Sequence, residues 1–177
     1  LNYCYGVYYY TIRNLNLAIQ ELTKARNSPD LHGPSNLILI DIYLHSNSFN
    51  LYSNFLQKEK FKTISKQHLE IIKSLIHELN EEEFSVEKKI YCIVYEGLAD
   101  ANKLPEAIKQ LEVYLNKPIY EMYQSLVLYF IAIFYLKSKE KEKLKEVFHS
   151  IKELTYRPKH FFDNYYFRAR SEEHTSE

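Results

Sequence analysis

Histidine and cysteine are the side chains best suited to proton transfer, metal binding and thiol chemistry near neutral pH. The chain holds seven of the first and two of the second. His32, His45, His68, His77, His149 and His160 are scattered over different helices and loops, and none pair at the four-residue spacing of a zinc-binding HExxH helix. Each is expected at a surface or a helix end. Cys4 and Cys92 make neither a CxxC pair nor a disulfide framework, and are expected to be small buried hydrophobes in a reducing compartment. Phosphate-cradling glycine loops and the GxSxG nucleophile turn are absent from the sequence. These patterns point away from an enzyme: no catalytic residue, metal ligand or cofactor is expected.

What remains is packing and surface. The chain has 23 basic and 23 acidic side chains, so it lacks the basic field by which nucleic-acid modules bind, and no nucleic-acid partner is expected. Hydrophobic residues make up 46%, too many for a disordered chain. Only three glycines are present, against 17 tyrosines and 10 phenylalanines. So little glycine leaves few places for the turns of β-hairpins, and favours helices. The longest apolar run, residues 126–136, is shorter than the roughly 20 residues of a membrane span and predicts a buried helix rather than membrane insertion.

Apolar residues recur at intervals of three and four throughout, the helical period. Polar and Pro/Gly punctuation, including Asn27-Ser28-Pro29-Asp30, His32-Gly33-Pro34 and Lys103-Leu104-Pro105, predicts about nine helices, starting near Tyr3, Leu15, Ser35, Thr63, Ser85, Leu104, Ile119, Glu140 and Lys159. Short connections imply antiparallel neighbours, so the nine should form about four hairpins plus one helix. Three hairpins fit the size pattern of a tetratricopeptide repeat. Gly6-x2-Tyr9 precedes Ala18-x3-Leu22-x2-Ala25. Val94-Tyr95-x2-Leu98 precedes Ala107-x3-Leu111-x2-Tyr114. Ile131-Ala132-x2-Tyr135 precedes Leu144-x3-Phe148-x2-Ile151. The hairpin over residues 35–80 keeps only His68-x3-Ile72-x2-Leu75. The expected fold class is all-α, a tetratricopeptide-like α-solenoid of antiparallel helix pairs.

In such a solenoid the first helix of each pair lines the concave face. Counting from the pattern, the candidate protein-binding residues are Tyr3, Val7 and Tyr10 on one helix, Cys92, Glu96 and Ala99 on another, and Tyr129, Ile133 and Leu136 on a third. This groove is apolar and aromatic. The Lys/Glu alternation over residues 137–153 reads as a solvated helix face with charge pairs one turn apart.

Specific segments add to this reading. Leu1-Asn2-Tyr3-Cys4-x-Gly6-Val7-Tyr8, then Asn16-x-Ala18, Lys24-Ala25-Arg26-Asn27 and Ile40-Asp41-Ile42-Tyr43-Leu44 resemble, in order, a stretch of the tetratricopeptide repeat protein 21 family, the large subunit of intraflagellar transport complex A. The likeness is specific over the first quarter of the chain and weaker beyond it. It implies a non-enzymatic scaffold segment for retrograde ciliary transport, partnered by other protein subunits of complex A. The expected location is the cytoplasm, at the cilium or basal body. The alternative, suggested by the aromatic groove and the Lys/Asn/Ile-rich composition, is a peptide-sensing tetratricopeptide domain of a bacterial transcriptional regulator. Residues 170–177, Arg-Ser-Glu-Glu-His-Thr-Ser-Glu, resemble the translation of a sequencing adaptor and are expected to be a processing scar. The native repeat segment is then 1–169. Setting aside Arg170, Glu172, Glu173 and Glu177 leaves 22 basic against 20 acidic side chains, still close to neutral.

Overall fold

A computed structural model of the chain describes residues 1–45 and 64–153. Those residues are helical and contain no strand. The helices are α1 (Asn2–Thr11), α2 (Leu15–Ala25), α3 (Pro29–His45), α4 (Lys66–His77), α5 (Ser85–Ala99), α6 (Leu104–Glu112), α7 (Gln124–Lys137) and α8 (Lys141–Glu153). Two 3₁₀ turns, Ala101–Lys103 and Pro118–Tyr123, lead into α6 and α7. The helix expected near Lys159 and the proposed scar lie outside the described residues. The chain divides into two compact units, Leu1–Tyr95 and Glu96–Glu177, each with its own core.

In the first unit α1 packs on α2, α2 on α3 and α3 on α4. The apolar spacing read from the sequence is the spacing of burial: Ala18, Leu22 and Ala25 on α2, and Ile72 and Leu75 on α4, are all in the core. α1 comes close to α2 because Gly6 has no side chain. A Cβ there would stand 2.6 Å from Cγ of Leu22. Caps explain where the helices start. The side chain of Asn14 accepts from Leu17 N–H ahead of α2, and the Ser65 hydroxyl accepts from His68 N–H at 3.1 Å ahead of α4.

α3 departs from expectation. It begins at Pro29, not near Ser35, and runs through Gly33 and Pro34, residues that read as a break. Pro29 sits at the first position, where a missing N–H costs nothing. Pro34 removes one further bond, to the carbonyl of Asp30, an exposed residue that water can serve. Gly33 provides a close approach rather than a turn, since the ring of Phe84 occupies the space that a side chain there would need. Phe84 also takes the cap position of α5, because Lys88 N–H bonds its carbonyl at 2.9 Å.

The second unit is built around α7. Every residue of this helix from 126 to 135 is buried, with α6 on one side and α8 on another. Ala107, Ile108 and Leu111 of α6 and Leu144, Phe148 and Ile151 of α8 supply the facing apolar stripes. The helical stretch Pro118–Lys137 is long and apolar enough to cross a membrane by length and composition, but 61% of that window is buried inside the protein.

The turns after α1 and α7 share one conformation. Arg13 and Lys139 have positive φ, 65° and 62°. In each turn the next residue, Asn14 or Glu140, bonds back to a tyrosine carbonyl, Tyr9 at 2.9 Å or Tyr135 at 3.0 Å. Both are Schellman endings, built on a basic residue where glycine is usual.

A candidate protein-binding surface

The nine candidate groove residues fall into three environments. Tyr3, Val7 and Tyr10 of α1 are half-buried. Burial pushes the Tyr3 phenol above its ordinary value, with the neighbouring Cys4 adding to the shift. Cys92, Glu96 and Ala99 of α5 are exposed, and Glu96 pairs with Lys103 at 3.5 Å. On α7, Leu136 is half-buried, whereas Tyr129 and Ile133 are core residues, 3% and 7% exposed. For those two the expectation is corrected. A helix covered on all sides has no face left to line a groove, and the repeat count that assigned them took no account of that enclosure.

The apolar surface that α1 leaves open lies elsewhere on the helix. Leu1, Tyr5, Tyr8 and Ile12 are 84%, 47%, 57% and 51% exposed. They follow one another at four, three and four residues, and so form a single stripe along the helix. The spacing was legible in the sequence, but the repeat pattern directed attention to Tyr3, Val7 and Tyr10 instead.

Two other expectations are changed. Cys4 and Cys92 are both exposed rather than buried, because the face that each helix turns inward is carried by Gly6 in α1 and by Ile90, Tyr91 and Val94 in α5. His45, at the end of α3 as expected, is nonetheless buried.

α3 has a polar interior that sequence reading did not single out. Ser35, Asn36, Asp41 and His45 are all buried. The Tyr10 hydroxyl donates to Oδ2 of Asp41 at 2.5 Å, linking α1 to α3, and His45 Nε2 lies 3.7 Å from Oδ1 of the same carboxylate. A second link joins the ends of α2 and α4, where the Arg26 guanidinium pairs with Glu78. The available signal was Asp41 itself, an acid inside the apolar run Leu37-Ile38-Leu39-Ile40-Asp41-Ile42. A charge so placed calls for partners from other helices.

Among the described residues no group of three or more His, Cys, Asp and Glu side chains is arranged to hold a metal ion. Tyr10, Asp41 and His45 tie two helices together, and among the described residues α1 carries exposed aromatic and aliphatic groups. Compared with known proteins, the chain matches no family model, no curated protein and no solved structure.

Proposed function

We propose that this chain is a scaffold segment, a tetratricopeptide-like α-solenoid without enzymatic activity, that docks other protein subunits in retrograde intraflagellar transport. One observation supports the repeat reading above the others. Tyr9, Arg13, Asn14, Ala18, Leu22 and Ala25 correspond, at one constant offset, to Tyr135, Lys139, Glu140, Leu144, Phe148 and Ile151. The two sets share the same turn bonds, the same left-handed basic residue and the same buried positions in the following helix. Helices that match only in apolar period have no cause to share the conformation of their turns. Within the first unit the links also run in the sense a repeat stack requires, α1 to α3 through Tyr10 and Asp41, and α2 to α4 through Arg26 and Glu78.

The ciliary assignment rests on the ordered resemblance from Tyr3-Cys4-x-Gly6 through Lys24-Ala25-Arg26 to Ile40-Asp41-Ile42-Tyr43-Leu44. Protein docking is supported by the open stripe of Leu1, Tyr5, Tyr8 and Ile12, since contiguous exposed apolar side chains mark interaction surfaces. The test is to tag the full-length protein in its host, follow its location, and recover what it binds. Enrichment in cilia together with complex A subunits is expected, and Tyr5→Ser/Tyr8→Ser should reduce that recovery at unchanged protein level. Absence from cilia and from complex A pull-downs overturns the proposal.

A further inference from the structure

His32 lies near the start of α3, where the ends of three helices meet around its ring. Nδ1 is 3.0 Å from the backbone carbonyl of Arg26, which caps α2. Nε2 is 3.3 Å from Nδ2 of Asn36, one turn further along α3. The same Nε2 is 3.3 Å from Oε2 of Glu78, which caps α4. Glu78 also pairs with the Arg26 guanidinium and accepts from the Ser74 hydroxyl at 3.3 Å. The His32 side chain is 36% exposed, so its ring exchanges protons with solvent.

A carbonyl oxygen can only accept, so Nδ1 carries hydrogen in either protonation state. In the neutral ring the lone pair is then on Nε2. That lone pair accepts from Asn36, but it also faces the Glu78 carboxylate, acceptor against acceptor. Oδ1 of Asn36 meanwhile has no partner, although the side chain is fully buried. One added proton reverses the first condition. Nε2–H then donates to Glu78, and the Asn36 amide, which has lost its acceptor on the ring, must change its hydrogen bonding.

We propose that His32 is a protonation-controlled switch at the joint of α2, α3 and α4. Neutral, its Nε2 is bound within α3 to Asn36; charged, it is bound across to Glu78 on α4. The charged groups that face the ring are Arg26 from α2 and Glu78 from α4. Phe84, packed on neighbouring Gly33, brings no charge. Nearby Lys88 and Glu81 pair with each other, as do Lys24 and Glu21.

Nuclear magnetic resonance on the isotopically labelled, backbone-assigned full chain decides the matter, following the imidazole nitrogens, the Asn36 amide and Arg26 Nε between about pH 5 and 8. The expected neutral ring is the Nδ1–H tautomer, and the Asn36 and Arg26 signals move with the same midpoint as the ring. In Glu78→Gln the Arg26 response is lost. A neutral ring in the Nε2–H tautomer, or an Asn36 amide that stays fixed while the ring titrates, overturns the proposal from the wild-type spectra alone.

Discussion

At Gly6 the absence of a side chain sets the distance between two helices. A Cβ would lie 2.6 Å from Leu22 Cγ and 3.2 Å from the Leu22 backbone nitrogen, and Leu22 is fully buried. Alanine is favoured over glycine in a helix by about 1 kcal/mol, whereas overpacking a core costs about 1–3 kcal/mol. Gly6→Ala should therefore lose on the order of 1 kcal/mol net, read as a lower urea midpoint at unchanged slope. A gain of similar size would mean that α1 can back away from α2. This glycine was legible because a small residue at a fixed place in an apolar period has one plain use. Asp41 was less so. Its burial depends on Tyr10, 31 residues away in sequence, and a period of three and four within one helix carries no record of a hydrogen bond to another.

Among elements, the helices that were placed well are those with a local cause for starting: α2 behind Asn14, and α6 at Leu104 with Pro105 in its first turn. α3 was placed late because Gly33 and Pro34 are breakers by local preference, and only contact with Phe84 shows that the glycine serves packing. The turns after α1 and α7 were legible as punctuation but not as a shared motif, since neither has the glycine that usually signals one. Lys139 bears the steric penalty that L-residues meet at positive φ, is exposed, and forms no core contact. Lys139→Gly should relieve that penalty, less the extra freedom glycine has in the unfolded chain, for a gain on the order of 0.5–1 kcal/mol. Equilibrium denaturation measures it, and a loss of stability would mean that the lysine side chain contributes more to the turn than its backbone costs.

For the whole molecule, the abundance of tyrosine has a consequence that helical period alone does not suggest. Burial raises the phenol of Tyr3 and of Tyr43 in the first unit, and of Tyr114 and of Tyr135 in the second, above the ordinary 10.0; Glu112 adds to the shift at Tyr135. Above the ordinary value the unfolded chain has released protons that the folded chain still holds, so stability falls as pH rises. The contribution of these four is complete below 10.0 and is lost as pH passes through their folded values. Lys137 works the other way. Burial lowers its amine below 10.5, the unfolded chain binds the extra proton, and stability rises with pH across that window. Four groups in two units oppose one, so the urea midpoint of the full chain should hold or rise slightly as pH approaches the lowered Lys137 value and then fall from about pH 10 to 11. Tyr43→Phe/Tyr114→Phe should flatten the fall, and Lys137→Met should remove any rise before it. A midpoint that stays level to about pH 11 in the wild type would mean that these phenols ionise in the folded chain as they do in the unfolded one, and that the aromatic interiors of both units admit water.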